Sequence, residues 1–569
     1  MQEKSKGISL YYQVESQIRE KIESGKWELG SRLPTEIELA NYFGVSRTTI
    51  RQAVNGMVEA GMLIRRQGSG TYIAKSPFAR NRLDSQPSNA VCKYIYSPQL
   101  QDDLKRSYHN MLLTIISHIL MLHHQKLITN ENGRSLLEYI MPMFERDPYH
   151  TGSNPLYEDC FLNFEQHLIA NLGVALSSEY LIARSRNDMT PTMIRLTVRD
   201  SLLSVCSRLL RLIRQLLDLA EEHQGKIITA HTHMQPSQAI TLDHYFLAIA
   251  EALIRDLGRL MSGYDTLNLS PLGACAISGT SYPIDREYAA GLLGFDGIIE
   301  NSLDAIASRD FLLELSAGYS TLGSTIDRFT QDLYIWSTHE FGYVSFSDST
   351  SCCSSIMPQK KNPLSAEHIR SKASHLTSAY LDVIMCLKGT TYSHSRDLFE
   401  CMPPFWQCTE NIIAMLELSS DMLSGLEFDY DKMKIAADSN SLTLTEISNF
   451  LERTGEYPFR SAHSVIARAV NECTRAGTSL SLASLNAASN ALFGKPVPIT
   501  SEEFSALMSL ENSVSNKKSA GSPSPASCKK MLHFLRSAAG SLGDKLSWLN
   551  YTLSVAEQKR NDTVKKIIQ

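Results

Sequence analysis

Cysteine is scarce, with eleven thiols scattered over 569 residues. No CxxC pair occurs, so neither a zinc ribbon nor a dithiol redox motif is supported. Cys352 and Cys353 are neighbours, and adjacent cysteines rarely suit a structural bridge. Reduced thiols in a cytoplasm are the expectation. Long apolar runs are missing too. The greasiest, "MLLTIISHILML" from Met111, is shorter than the ~20 residues of a membrane span and is broken by polar groups. It reads as a buried helix. The opening "MQEKSKGISLYYQVESQ" has no apolar core of signal-peptide type. A dominant charge is also absent: the net charge of -5 excludes a whole-chain basic field for nucleic acid.

What is present is a globular composition, 43% apolar and 20% charged. At roughly 100–200 residues per domain, the length predicts about three or four domains. Charge divides unevenly. Residues 1–75 hold 11 Lys+Arg against 8 Glu, a balance of +3, so the remainder carries -8. A small basic module on an acidic body suggests separate tasks.

That module has a legible order. Leu10, Val14, Ile18 and Ile22 form an i, i+4 stripe, and Gly25 can end the helix they predict. Thr35 and Glu38 have the spacing of a capping box opening a second helix. The chain turns at Gly44, and Ser46 can cap a third helix running toward Glu59. "IRRQGSGTYIA" reads as two short strands around a glycine turn. Three helices and a hairpin is the winged helix-turn-helix order. Residues 76–100, with three prolines, read as a linker. Beyond them long 3.6-residue periodicities predict a bundle of long helices, giving a mainly α protein. "SVSNKKSAGSPSPAS" from Ser513 interrupts the C-terminal part.

"LPTEIELANYFGVSRTTIRQAVNGMVEAGMLIRRQGSGTYI" resembles the DNA-binding domain of the GntR family of bacterial regulators. A recognition helix presents its first residues to base edges in the major groove. Here those are Ser46, Arg47, Thr48, Thr49, Arg51 and Gln52. Arg can bond guanine bidentately, and Gln adenine. Arg66, Ser69 and the wing glycines can meet phosphates. Double-stranded DNA is the implied partner. A helix-turn-helix kept for protein contacts is the alternative.

"SSIMPQKKNP", residues 354–363, resembles the signature of the fumarase/aspartase superfamily, and "SSIMPQKKNPLSAEHIRSK" is closest to argininosuccinate lyase. "ARSRND", "THMQPSQ", "SPLGACAISG", "DREY" and "NSLDAIASRDF" follow the family's order. That resemblance implies the division 1–75 reader, 76–100 linker, 101–230 N-terminal lyase region, 231–440 central bundle with the signature loop, and 441–569 C-terminal helical region. It also implies elimination of fumarate from a succinyl compound. A proton leaves the carbon beside a carboxylate, and the resulting aci-carboxylate needs preorganised donors and cations. Lys360 and Asn362 suit that role. By resemblance Ser354 is the base, and a nearby ammonium with loop N–H donors would favour its alkoxide. His233, oriented by Glu367, would protonate or position the leaving group. Ser185, Arg186, Asn187 and Thr232 would hold the carboxylates. Taken one at a time, Lys360 with Lys361 reads better as a solvated loop pair and "SRND" as an ordinary helix cap, while "HTH" at 231–233 offers only the spacing of a metal pair. No third ligand cluster accompanies the histidines, and no metal or other cofactor is implied.

The departures bear on substrate. Cys352-Cys353 replaces Thr-Gly before the serines. Leu181 and Ile182 replace His-Thr before "ARSRND", and Phe161 stands where the family has His. Aligned on "RDL", His394 falls at a tyrosine, Phe399 at a glutamine and Met402 at a lysine, with Tyr392 a substitute for that tyrosine if the loop bulges. Phe and Met cannot bond a carboxylate or an ammonium. The expectation is a carbon–nitrogen lyase that keeps its fumarate half-site and has altered its amine half-site. A regulator whose lyase-like body senses a ligand without turnover is the alternative. The resemblance further implies a homotetramer whose sites gather residues from three chains.

Overall fold

The computed structural model describes residues 10–23, 26–28, 30–59, 62–66, 68–73 and 85–569. The first unit holds α1 (Leu10–Glu23), α2 (Glu36–Phe43), α3 (Arg47–Glu59) and the hairpin β1 (Leu63–Arg66) and β2 (Gly70–Ile73). Val14, Ile18 and Ile22 are buried with Ile50, Val54 and Leu63 in one core, as the i, i+4 stripe requires. Gly25, expected to end α1, lies outside the described residues. The capping box is formed: Thr35 Oγ1 accepts from Glu38 N, and Thr35 N donates to Glu38 Oε2 at 2.7 Å. Gly44 closes α2 in the left-handed region at φ 67°, which aims α3 away from α2.

Part of the stretch read as a linker is helical. Residues 89–106 form helical turns that end in α4 (Ser97–Arg106), and Leu100 is buried. Pro98 lies in the first turn of α4, directly after the wide helical turn Cys92–Tyr96, so the ladder shifts register where Pro98 has no N–H to give. The run from Met111 is buried within α5 (Tyr108–His124), and no described helix is long and apolar enough to cross a membrane.

The rest is a body of long helices. It continues through α6 (Cys160–Glu179, broken at Gly173), α7 (Arg186–Glu222), the hairpin β3 (Ile227–Thr232) and β4 (Gln235–Thr241), α8 (Leu242–Leu267) and α9 (Asp310–Trp336). Then come the small hairpin β5 (Cys352–Cys353) and β6 (Lys361–Asn362), α10 (Leu364–Leu387) and α11 (Met402–Ser424). α12 (Pro525–Ile568) closes the chain with 44 residues. Leu202, Leu209 and Leu216 of α7 recur every seventh residue and are buried in one core with α8, α9, α10, α11 and α12. Helices Leu444–Arg453, Phe459–Ala476 and Leu482–Phe493 hold a separate small core.

Two buried arginines of α7 lock the bundle to the loops that follow α8. Arg195 donates to the carbonyls of Thr266 and Leu267, each at 2.9 Å, the last acceptors of a helix end. Arg199 donates to Asn268 and to the carbonyls of Leu293 and Gly294. These bonds fix residues 266–268 and 293–294 against α7.

Candidate functional site

Ser185 is the N-cap of α7, accepting from Asn187 N and forming a capping box with Asp188. Asp188 is fully buried. Its second oxygen accepts from Gly273 N at 3.0 Å and Cys275 N at 2.8 Å, tying "SRND" to "SPLGACAISG". Burial pushes its carboxyl up to about 6 against the pull of those N–H donors. Asn187 Nδ2 donates to the carbonyl of Ala276 at 3.0 Å. Pro191, one turn along, has no N–H for the carbonyl of Asn187, so that acceptor is left without its helical partner.

Arg186 is already engaged. Its Nη1 donates to Glu158 Oε2 at 3.1 Å and Asp159 Oδ2 at 2.7 Å. Both carboxylates belong to "EDCFLNFE", where sequence reasoning had attended to Phe161, here packed in the core. The local signal was the Glu-Asp pair itself. Around Arg186 lies a cavity of about 340 Å³, lined also by Asn187, His394, Arg396 and Phe399. His394 stands edge-on to Phe399 at 5.6 Å, and its Nδ1 is buried without a partner. A second cavity of about 340 Å³ shares Arg396 and Phe399 and continues past Met402 and Trp406 to Asp103. Burial and the neighbouring Asp159 push the Asp103 carboxyl up to about 8. Tyr392 does not line the Arg186 cavity; its hydroxyl donates to Asp304, in the "NSLDAIASRDF" block.

Thr232 pairs with Gln235 at the tip of the β3–β4 hairpin. His233 and Met234 form its two-residue turn, at φ 54° and 59°. The tip is exposed, Met234 to 61%.

The signature loop is a second tight hairpin, with Cys352 opposite Asn362 and Cys353 opposite Lys361. Ser354 N donates to the carbonyl of Lys360 at 3.1 Å, closing it. Ser354 Oγ then accepts from Met357 N at 3.0 Å and Ile356 N at 3.3 Å. Two N–H dipoles aimed at one oxygen favour negative charge there. Lys361 is paired with Asp348 at 2.7 Å; among the described residues no ion pair is formed by Lys360. Asn362 Nδ2 lies 3.7 Å from the sulfur of Cys352, so a substituted residue touches a candidate site group. Glu367 is exposed in the first turn of α10. Among the described residues of one chain, no hydrogen bond or ion pair joins the clusters around Arg186, His233 and Ser354.

On the small N-terminal unit, Ser46 Oγ accepts from Thr49 N at 3.1 Å and so caps α3. Thr48, Arg51 and Gln52 are exposed along its first turns. Glu36 of α2 holds Arg51 at 3.1 Å and Arg47 at 3.4 Å, with Arg65 at 3.7 Å. The Arg51 hydrogen bond leads the set that holds this carboxyl below its usual range. Arg66 stacks 4.7 Å from the Tyr72 ring, and Ser69 Oγ bonds the Tyr72 hydroxyl at 2.7 Å, which stiffens the wing.

Residues 10–73 match the gntR family of bacterial regulatory proteins, 163–377 match the lyase family, and 441–515 match the argininosuccinate lyase C-terminal family. Argininosuccinate lyase 1 of Shouchella clausii is 34% identical over 481 residues, 84% of this chain and 97% of that protein. The argininosuccinate lyase of Methanocaldococcus jannaschii is 32% identical, over 69% of this chain and 80% of its own. An EDDS lyase variant solved with bound fumarate superposes with a TM-score of 0.76 at 25% identity, covering 85% of this chain and 99% of that one. The chain belongs to the argininosuccinate lyase family of carbon–nitrogen lyases and bears a gntR-family domain ahead of the lyase body.

Proposed function

We propose that the protein eliminates fumarate from an N-substituted aspartate whose amine is more apolar than arginine, and that its N-terminal domain reads double-stranded DNA. The observation that carries the enzymatic half is the pair of N–H groups on Ser354 Oγ, in a loop that also holds Lys360 and Asn362. Ser354 as alkoxide takes the proton from the carbon next to a carboxylate. The electron pair delocalises into that carboxylate, and Lys360 and Asn362 stabilise the added charge. The pair then forms the double bond as the C–N bond breaks, and His233, turned by Glu367, delivers a proton to the departing amine. Thr232, Ser185 and Asn187 hold the dicarboxylate, and Arg186 joins them once it exchanges Glu158 and Asp159 for substrate. Phe399, Met402 and Trp406 line the path for the amine, which supports an apolar group there.

Among the described residues of one chain no hydrogen bond or ion pair joins the clusters, which supports a homotetramer that assembles each site from several subunits. On the N-terminal domain Arg47, Thr48, Arg51 and Gln52 face base edges, with Arg66 and Ser69 on phosphate. A ligand sensor without turnover is the second reading, favoured by the carboxylates that occupy Arg186.

Purified protein mixed with fumarate and a panel of amines, followed by fumarate absorbance, tests both. Ser354→Ala is expected to lose at least about a thousandfold in kcat, the order set by removal of a reacting group. Equal rates for wild type and Ser354→Ala would refute the assignment. Preferred turnover of argininosuccinate would refute the apolar amine.

A further inference from the structure

A cleft of about 1220 Å³ separates the N-terminal domain from the lyase body, and none of the candidate catalytic residues lines it. Two helix faces form it together with the loop 150–157. On α1 they are Tyr12, Glu15, Ser16 and Arg19, and on α6 Asn163, Gln166, His167 and Asn171. Both sets follow i, i+3, i+4 spacing, so each is one continuous stripe. Such stripes normally bury apolar groups. These are polar, and Glu15, Asn163 and Gln166 among them are buried in the cleft walls.

Gln166 is 4% exposed, and its amide nitrogen has no hydrogen-bond partner. A buried N–H group left unpaired costs about 1–3 kcal/mol, which an incoming acceptor would recover. The lining holds one carboxylate, Glu15, itself 5% exposed and paired with Arg19 at 3.5 Å. Its other polar groups, apart from the Arg19 guanidinium, are neutral hydroxyls, amides and imidazoles that both donate and accept, and among them the Gln166 amide nitrogen is the donor left unpaired. A cation would find its single counter-charge already bridged. An anionic oxygen would likewise find its single counter-charge, Arg19, bridged to Glu15, but it would also find an N–H without a partner.

We infer that this cleft binds a small carboxylate at a site distinct from the lyase site. The geometry also supplies a route between the two. Asn163, in the cleft, donates to the carbonyls of Asn154 and Asp159, at 3.1 and 2.8 Å, and accepts from Asn154 N. It thereby straps the loop 152–159. The far side of that loop supplies Glu158 and Asp159 to Arg186. A ligand that shifts α6 against α1 therefore moves the two carboxylates that compete for Arg186. This coupling, unlike the binding, rests on the proposal that Arg186 reads a substrate carboxylate.

Calorimetric titration of the full-length protein with fumarate, succinate or L-aspartate separates the sites. Gln166→Met removes the unpaired donor at similar volume. Asn171→Trp fills the cleft from an exposed position and does not depend on the core tolerating Met. Lys360→Met disables the lyase site instead. The expected result is a carboxylate site weakened by about tenfold or more in Gln166→Met and Asn171→Trp, the scale of one lost hydrogen bond to a charged group, and unchanged in Lys360→Met. The inference is overturned if none of the three probes binds. It is overturned equally if every site detected is lost in Lys360→Met and untouched in both cleft variants. Failure of the lyase proposal shows separately, as absent turnover in the wild type.

Discussion

His118 shows how one side chain sets the backbone of the candidate site. Its Nε2–H donates to the carbonyl of Ile182 at 2.8 Å, two residues before Arg184 and just ahead of Ala183 at φ 55°. The tautomer follows, because a carbonyl can only accept. Nδ1 is then the unprotonated nitrogen, buried and without a partner. A second proton would sit there in an apolar shell, and burial pulls the imidazole down to about 4. The folded value is depressed below the ordinary 6.5, so this contribution to stability is complete above about pH 6.5. It is lost as pH falls through about 4, by roughly 3 kcal/mol at most. His118→Gln keeps a donor and removes the titration. Urea midpoints of the two proteins should converge between pH 6.5 and 4; parallel pH profiles would reject the account. His118 lies in a run that the sequence marked only as apolar, and nothing local pointed to Ile182, which is 64 residues away.

Elements were the most legible scale. The Thr35–Glu38 box, the Gly44 turn and the 63–73 hairpin follow from spacing, because caps and turns are satisfied by neighbours a few residues apart. Gly44 offers a clean test. A Cβ there meets nothing within 4 Å, so Gly44→Ala adds conformational strain and no clash. A loss of about 1 kcal/mol is expected in denaturant unfolding of the full-length protein, with the α2–α3 angle relaxed and DNA affinity reduced. No change in either measurement would mean that the turn tolerates an L residue. The linker reading shows the opposite weakness. Three prolines between 76 and 100 suggest a breaker, yet Pro98 sits inside the helical run 89–106, next to the wide turn Cys92–Tyr96 where the ladder changes register. Whether a proline breaks or begins a helix depends on what the following residues bury, and Leu100 and Leu104 bury fully.

At the scale of the whole molecule, the decisive feature is separation. Ser354, His233 and Arg186 sit on two hairpins and a helix start that do not bond one another within a chain. Site sharing between subunits has a direct consequence. Co-expressed Ser354→Ala and His233→Asn chains should recover turnover that neither variant has alone, because some mixed sites contain both intact groups. A site built within one chain would show no recovery.

The sequence by itself determined the order of parts, the helical class, the caps and turns, and the types of groups available for elimination, since these depend on neighbours and on ordered motifs. Tertiary structure decided what each group is doing: that Arg186 is held by Glu158 and Asp159, that Glu36 gathers three arginines, that Tyr392 turns to Asp304 while His394 enters the cavity, and that a polar cleft divides the two units. Those are pairings between residues far apart along the chain. Charge and hydrogen-bond partners are chosen by distance in space, and periodicity along a sequence does not record it.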